Sequence, residues 1–430
     1  MRIKDINLKK CLKYTMIEVK NKKDCCGCSA CVQICPKGCV AMEFDNEGFL
    51  YPKVDEVKCI NCHKCETVCP VINRYSPREP LLTIAAKNYN KNVVNISSSG
   101  GVFDLLAYEI LKKGGVVFGA KLNEKMQVVH DYVEKYEDLN PLRGSKYVQS
   151  DINGTYLNVK AFLKQKRSVL FSGTPCQISG LKHFLGKDYE GLYLVEVICH
   201  GSPSPGVWKE YINQQSQKLS KVAHCATDGK NMVLSLSLED TPVFTGVNFR
   251  EKNGYSWEKY GFVIRGKSAS KADKNMVLLS DICFNNTYIK GFLSDLYLRP
   301  SCYQCPTRCL SSGADITLGD YWKIKDFHPK FYDKNGVSLV LINSNKGLYL
   351  FEQIREKMDF IKSSYANAIR VNPVLVSNVM LDRKRDKFYK DYFSNPNDLE
   401  RIVNTLSKRT LYERIYKKIY YILKTKIKQI

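Results

Sequence analysis

The sequence predicts an α/β (α+β) protein in three parts: a small cysteine-built domain, a larger α/β domain and a helical, basic C-terminal region. Three observations carry this prediction. Two cysteine runs of identical spacing lie near the N-terminus. Apolar runs of strand length, each leaving into a Gly, Cys or Asp turn, alternate with helix-like stretches over residues 81–345. Beyond residue 400, apolar residues recur at close to helical period among nine basic ones. The boundaries expected are an N-terminal extension at 1–19, the cysteine domain at 20–76, the α/β domain at 81–345 and the helical region at 346–430.

The runs read Cys25-x2-Cys28-x2-Cys31-x3-Cys35-Pro36 and Cys59-x2-Cys62-x2-Cys65-x3-Cys69-Pro70. Two-cluster ferredoxins hold a pair of 4Fe–4S clusters at this spacing, the fourth cysteine of each run ligating the other cluster. One cluster is therefore expected on Cys25, Cys28, Cys31 and Cys69, and the other on Cys59, Cys62, Cys65 and Cys35. Three thiolates on one tight loop cap three corners of a cube, and the proline after the fourth turns the chain away. Zinc ribbons use pairs of Cys-x2-Cys instead. A disulfide framework suits a short secreted chain rather than one of 430 residues. Cys26 and Cys39 fall outside the pattern and read as spare thiols near the clusters.

Residues 76–80 (SPREP) read as a linker closing the cysteine domain. A Ser/Gly-rich turn at 96–103 then opens a helix-like stretch reaching Lys113, followed by a strand over 115–120. Such a turn presents free amides and a positive helix end, which suits an anion, although most Ser-Gly turns are only turns. Strands at 168–171 and 192–198 each run into a cysteine, Cys176 and Cys199, placed where open α/β sheets build their sites. Cys302 and Cys305 form a further Cys-x2-Cys ahead of a strand exit at 314–322. These four are candidate ligands for a third cluster, against the bland alternative of buried structural thiols; Cys309 offers a substitute for one of them. A strand at 338–342 and a helix near 347–358 complete the alternation. No dinucleotide-binding GxGxxG and no P-loop occurs.

The bulk numbers exclude several classes. Lys and Arg number 66 against 43 Asp and Glu, a net charge of +23. The cysteine domain is near neutral, and no nucleic-acid-binding module accompanies the charge, so no nucleic-acid partner is expected. The first twenty residues carry charges throughout with no apolar core of an export signal, and no run is long enough to span a membrane. Cysteines serving as ligands imply a reducing, cytoplasmic setting. From residue 400 onward nine basic residues face two acidic ones. Ile402, Leu406, Leu411, Ile415, Ile419, Ile422, Leu423 and Ile427 form an apolar stripe with Tyr412, Tyr416, Tyr420 and Tyr421 among them. This pattern fits either peripheral contact with an anionic membrane face or a terminal helix packed on the protein's own core.

At these residues the chain resembles a known family, the beta subunits of coenzyme F-420 hydrogenase/dehydrogenase, and in particular bacterial members with a fused N-terminal dicluster ferredoxin. The resemblance spans about residues 20–345. It rests on SSSGGVF (97–103), RGSKYVQS (143–150), FSGTPCQISGL (171–181), CHGSPSP (199–205), the Cys-x2-Cys at 302–305 and ADITLGDYW (314–322). It implies FAD and a further 4Fe–4S cluster, the cluster falling on Cys176, Cys199, Cys302 and Cys305. The flavin would lie at Ser99, Gly100 and Gly101, with Lys146 and Tyr147 nearby and Gly173, Thr174 and Pro175 shaping the adjoining loop. Bacterial members of this layout often accompany surface-polysaccharide biosynthesis. The basic tail lies outside the resemblance.

The function expected is an iron–sulfur flavoprotein oxidoreductase. A low-potential donor, a small ferredoxin, would load the N-terminal clusters, and electrons would reach FAD and then an organic acceptor. His200 and Lys146 are candidates for proton delivery or substrate anchoring. Their bland alternatives are a hydrogen-bonded structural histidine and a lysine binding the FAD phosphate. Two other classes stand beside this one: an electron-transfer subunit feeding a partner enzyme, and a cluster-stabilised scaffold without redox work.

Overall fold

The computed structural model describes residues 17–222, 243–268, 271–408 and 419. The N-terminal unit is the expected α+β ferredoxin pattern. A short helix, Ala30–Ile34, precedes an antiparallel hairpin of β1 (Val40–Phe44) and β2 (Leu50–Val54), and a second short helix, Lys64–Thr67, follows. The two cysteine runs share one backbone device. Cys28 is flanked by left-handed Gly27 and Ser29, and Cys62 by left-handed Asn61 and His63. Consecutive reversals of this kind wrap three thiols around one centre. Ser, Asn and His each adopt that region at a cost of order 1 kcal/mol or more, which a bound centre would offset.

The main body is a mixed eight-stranded sheet in the order β13-β3-β12-β11-β7-β6-β4-β5. Its strands are β3 (Leu82–Asn88), β4 (Val116–Leu122), β5 (Val128–Val133), β6 (Val169–Gly173), β7 (Leu192–Val197), β11 (Ile316–Asp320), β12 (Ser338–Ile342) and β13 (Met358–Lys362). Strands β4, β6, β7 and β11 are mutually parallel and the flanking pairs antiparallel. The parallel strands read as continuous apolar runs because helices cover both faces. Val116, Val117, Phe118, Val169, Leu170, Phe171 and Val195 are all fully buried. A separate antiparallel sheet of β8 (Val243–Glu251), β9 (Gly261–Ser268) and β10 (Lys271–Ile282) packs on helices Pro205–Val222 and Thr287–Leu293.

Two expectations need correction. The central sheet takes in β13, beyond residue 345, so the region 346–430 is not wholly helical: a helix at Asn345–Glu352 ends and the chain returns as an edge strand beside β3. The apolar stripe of the tail also begins inside the fold. Helix Leu399–Leu406 buries Leu399, Ile402, Val403 and Leu406 against Thr287–Leu293, with Lys290 Nζ 2.7 Å from Asn404 Oδ1. Ile402 and Leu406 are therefore core residues. Leu411, Ile415, Ile422, Leu423, Ile427 and the four tyrosines lie outside the described residues. Among the described residues no helix is long and apolar enough to cross a membrane.

The cysteine domain is bolted to the sheet domain. Glu47 at the hairpin tip pairs with the buried Arg385 at 2.5 Å, and its carbonyl accepts from Ser204 Oγ. Gln33 Oε1 accepts from the amides of Tyr156 and Leu157 at 2.8 and 3.2 Å, capping helix Thr155–Lys164 from outside. The stretch 76–80 is no loose linker. The Arg78 guanidinium donates to the carbonyls of Leu310, Ala314 and Asn343, and the Arg78 amide to that of Cys309.

Truncating Ile402 or Leu406 to Ala should lower unfolding free energy by about 2–5 kcal/mol, read from anaerobic denaturant titration. A change below about 0.5 kcal/mol would place the helix outside the cooperative fold.

Candidate metal centres and the adjoining sheet edge

Cys59, Cys62 and Cys65 of the second run and Cys35 of the first line one cavity, together with Cys39, Pro36 and Val54. The Cys35 end of one loop thus reaches the cavity lined by the triplet of the other. Cys39 Sγ lies 3.4 Å from Cys35 Sγ, so it flanks this centre. Cys62 is exposed, as are Val57 and Ile60 beside it, which makes this the outward-facing centre.

The reciprocal set is interior. Cys28 and Cys31 are buried, and burial, followed by the neighbouring Cys25, Cys69 and Cys65 sulfurs, pushes the Cys31 thiol far above its ordinary value. Burial likewise raises Cys69, with Cys25 and Cys65 adding to it. Thiols that oppose one another's ionisation in a dry site suit a cationic centre that takes them all as thiolates.

The structure brings Cys176, Cys199, Cys302 and Cys305 together around one cavity, with Cys26, Arg299 and Arg308 on its wall. Each position has a local cause. Thr174 and Gln177 form a reciprocal capping box that starts helix Pro175–Leu185 and sets Cys176 in its first turn. Cys199 follows the end of β7, and Cys302 sits in the 3-10 turn Pro300–Gln304. The sulfurs are already solvated by protein donors: the Ser202 amide donates to Cys302 Sγ at 3.2 Å, and Thr174 and Thr307 hydroxyls lie 3.3 and 3.4 Å from Cys176 and Cys305. Burial pushes the Cys302 thiol up to about 12. Cys309 is not part of this set; its sulfur turns to the Val376 carbonyl in a separate apolar cluster.

Arg299 tests whether these thiols suit a charged centre. It is 1% exposed, and among the described residues it forms no ion pair with a carboxylate. Its Nε and Nη2 donate to the carbonyls of Cys25 and Leu50, both at 2.8 Å, Nη1 donates to Gln149 Oε1 at 3.0 Å, and Nη2 lies 3.5 Å from Cys25 Sγ. A buried cation needs a counter-charge, and the acidic groups around it are the Cys25, Cys26 and Cys302 sulfurs and the Tyr51 hydroxyl. A thiolate-ligated cluster would supply that charge. The fit is good on both sides of the guanidinium.

One glycine sets how close the interior set lies to this cavity. Gly180 faces Cys28 from helix Pro175–Leu185; a Cβ there would stand 2.9 Å from both Cys28 Cβ and Sγ. The helix that carries Cys176 is therefore pressed directly on a cysteine of the interior set.

The turn at 97–101 lies at the same carboxyl edge of the sheet. The Gly100 amide donates to Ser338 Oγ at 3.0 Å, and the Asn88 amide donates to Gly100 O at 2.8 Å. Gly100 lacks a side chain for the fold's own sake, since a Cβ would stand 2.8 Å from the Ser338 nitrogen and strike the Ala86 carbonyl. Gly101, at φ +80°, begins helix Val102–Leu111. Ser98 Oγ accepts from the Ser145 amide at 2.7 Å, and Ser99 Oγ is a buried hydroxyl without a hydrogen-bond partner among the described residues. Tyr147 stacks on Phe292 at 4.8 Å. Lys146 does not reach the turn; its ammonium braces the carbonyls of Pro141 and Arg143 at 2.6 and 2.7 Å, and burial lowers it to about 7. Gly173 packs on Phe171 and Gln177, while Pro175 lines the third thiol cavity.

Sequence reasoning missed the cation that does hold the turn. Lys252 is buried, its Nζ donating to the carbonyls of Val94, Ser99 (3.0 Å) and Asn335 (2.6 Å), and burial followed by Arg250 lowers it to about 7. Beside it Arg250 pairs with Asp320 at the end of β11, and Trp257, stacked on Trp322 at 5.1 Å and 7°, donates to the same carboxylate at 2.7 Å. Among the described residues Arg250 Nε is the second buried atom here without a partner. No local spacing links residues 250–257 to 320, which only sheet packing brings together. His200 turns away from the thiol cavity and is held by the buried Asp295 at 2.5 Å, edge-on to Phe292.

Residues 24–73 match the family model described as 4Fe-4S dicluster domain, and residues 166–366 match that for the C terminus of the coenzyme F420 hydrogenase/dehydrogenase beta subunit. Residues 24–73 are thus similar to a 4Fe-4S dicluster domain, and residues 166–366, under half of the chain, to the C-terminal region of that beta-subunit family. Among curated proteins it is similar to the coenzyme F420-dependent sulfite reductase of Methanocaldococcus jannaschii, 27% identical over 198 residues, which are 44% of this chain and 30% of that protein. The match thus spans less than a third of that relative. A chain of the F420-reducing NiFe hydrogenase complex from Methanosarcina barkeri aligns with 74% of this chain and 94% of its own length, at 14% identity and a TM-score of 0.43.

Gly180→Val should push Cys28 out of place and remove about four irons per chain, measured by iron and sulfide analysis after anaerobic reconstitution. Unchanged iron would mean that the close approach is not needed. A pH effect follows from His130, which stacks on Phe171 and is held between Ser150 Oγ (2.8 Å) and the Ser172 carbonyl (3.0 Å). Burial lowers it to about 4. Below its ordinary value near 6.5 the unfolded chain takes a proton that the folded chain refuses. Stability should therefore fall between pH 6.5 and 4, by at most about 3 kcal/mol. His130→Gln should flatten that interval in denaturant titrations run at several pH values, and an unchanged slope would refute the assignment.

Proposed function

We propose that this chain, a dicluster domain joined to a beta-subunit-like domain, passes electrons from a low-potential ferredoxin to an organic acceptor through three 4Fe–4S clusters and FAD. One observation carries the reading: the four thiols of the sheet domain share a cavity whose helix is pressed on Cys28. In this reading Cys59, Cys62, Cys65 and Cys35 hold the outward cluster and Cys25, Cys28, Cys31 and Cys69 the interior one. Cys176, Cys199, Cys302 and Cys305 hold the third. When bound, the clusters carry single electrons and the flavin gathers two for the acceptor.

The chain's own residues do the rest. Exposed Cys62, Val57 and Ile60 leave the outward cluster open to a redox partner. Arg299 places a fixed positive charge between the interior and third sites, favouring the more negative, reduced state of either neighbour. The Ser99-Gly100-Gly101 turn offers the start of a ten-residue helix to the flavin phosphates. Lys252 fixes that turn from behind, and the unpartnered Ser99 Oγ and Arg250 Nε supply polar contacts. The segment 145–149 ties the two regions, from Ser145 on Ser98 to Gln149 on Cys26 O at 3.0 Å. His200, oriented by Asp295, is the group we assign to proton delivery.

Anaerobic reconstitution tests the reading. About twelve irons and one FAD per chain are expected; about eight irons would overturn the third cluster. Iron-replete protein without flavin would favour an electron-transfer subunit feeding a partner enzyme. Lys252→Met should lower flavin occupancy at least tenfold without changing iron content, and stoichiometric FAD in that variant would overturn the placement.

A further inference from the structure

The amino edge of the parallel strands, opposite the third thiol set, holds a cavity of about 270 Å³ that the proposed electron path does not use. Its walls come from the stretch joining the two domains, helix Pro175–Leu185 with the loop after it, the residues just ahead of β11, and the start of helix Asn345–Glu352. A water's share of liquid volume is ~30 Å³, so the space suits a small polar molecule rather than a single water.

Three cations reach it from three of these elements. Arg78, half-buried, donates to the carbonyls of Leu310 at 3.0 Å, Ala314, and Asn343 at 3.5 Å, and among the described residues it forms no ion pair with a carboxylate. Lys346 Nζ donates to the carbonyls of Leu192 at 2.9 Å and Tyr189 at 3.3 Å. Lys182 leaves the last turn of its helix and runs over Gly313, where, at φ +87°, a Cβ would stand 2.8 Å from the lysine Cδ. The bare glycine is what admits the lysine. Of the carboxylates lining the cavity, Asp315 alone is buried. Its oxygens already accept from the Leu194 amide at 2.8 Å and the Ser344 hydroxyl at 2.5 Å, with Lys346 Nζ 4.0 Å away. Asp188, 3.3 Å from Lys182 Nζ, is 78% exposed at its side chain, and Glu190 is exposed as well. Three cations therefore face one committed carboxylate inside, with Asp188, Glu190 and Lys187 at the mouth.

We propose that this cavity binds a small molecule through a doubly charged oxyanion group of the phosphate-ester or pyrophosphate type, held by Arg78, Lys182 and Lys346. The excess of cations in a partly buried space attracts such a group more strongly than the same lysines would in open water. A guanidinium offers a planar fork that matches two oxygens of one phosphate, and the ammonium groups act as point charges beside it. Open α/β sheets place their chemistry at the carboxyl edge, so an anion at the amino edge is an effector and not a reactant. Two connections give it leverage. Arg78 already fixes the joining stretch to the sheet domain, and helix Pro175–Leu185 carries Lys182 in its last turn and Cys176 in its first. A ligand that binds only the folded arrangement stabilises it by mass action.

The test is anaerobic isothermal titration of reconstituted full-length protein with inorganic pyrophosphate at fixed ionic strength, comparing wild type with Lys182→Gln and Lys182→Arg. Both variants change a side chain at the cavity wall and should keep the wild-type iron content. Wild type should bind pyrophosphate with a Kd of about 1 mM or tighter; weaker binding, or none, would overturn the site. Lys182→Gln should weaken that binding at least about tenfold, while Lys182→Arg, which keeps the charge, should stay within about threefold of wild type. Pyrophosphate held instead at the Ser99 turn or on the basic C-terminal region would bind Lys182→Gln as well as wild type, and that result would overturn the assignment. Equal losses in Lys182→Gln and Lys182→Arg would do the same, since they would show that shape at this position matters and charge does not.

Discussion

A guanidinium buried without a carboxylate is costly, by several kcal/mol for an uncompensated charge, and Arg299 is placed in just that position. Its donors go to the Cys25 and Leu50 carbonyls, Gln149 and the Cys25 sulfur, while its plane lies over Tyr51 at 4.2 Å. Every partner lies either in the cysteine domain or in the segment that borders the sheet-domain thiols. The two halves of the molecule are organised around this cation. Without it the hairpin Val40–Val54, the first cysteine loop and the wall of the third cavity would share no common anchor. In the function proposed above, it would let two negatively charged centres sit close together in a dry interior.

The carboxyl edge of the sheet then lays out the remaining chemistry in strand order. Cys176 follows β6, Cys199 follows β7, Asp320 ends β11, and the serine–glycine turn meets the start of β12. Parallel strands place their ends on one side, so residues far apart in the chain become neighbours without any long excursion. The aromatic and cationic group of Arg250, Lys252, Trp257 and Trp322 closes this edge from the small antiparallel sheet.

Much of this was readable from residue order, for definite reasons. Cluster spacing is chemistry written directly into the chain, so the dicluster region was legible from the cysteines alone, and Cys35 does line one cavity with Cys59, Cys62 and Cys65. The apolar runs that became β4, β6, β7, β11 and β12 announced the strands of an α/β domain, but not the mixed order in which they pair. The helix expected over 347–358 was legible only in its first half, because its last residue opens the edge strand β13. Helix Leu399–Leu406 and the stretch beyond it read as one amphipathic pattern, and periodicity does not say which surface an apolar face meets. Lys252 and Arg299 were invisible because an isolated basic residue carries no spacing signal. Lys146 stands in one of the blocks that carry the resemblance, and its amine is bound to carbonyls of its own loop.

Arg78 has a consequence for kinetics. Many multi-centre redox proteins carry a mobile module that shuttles between an electron donor and a distant acceptor. Here the stretch of chain joining the cysteine domain to the sheet is nailed at three carbonyls, while Glu47 and Gln33 hold the far side. The spacing of the centres is then a constant of the molecule. In the function proposed above, turnover would be governed by arrival of a donor at the Cys62 face or of an acceptor at the sheet edge, and not by travel of a domain between them.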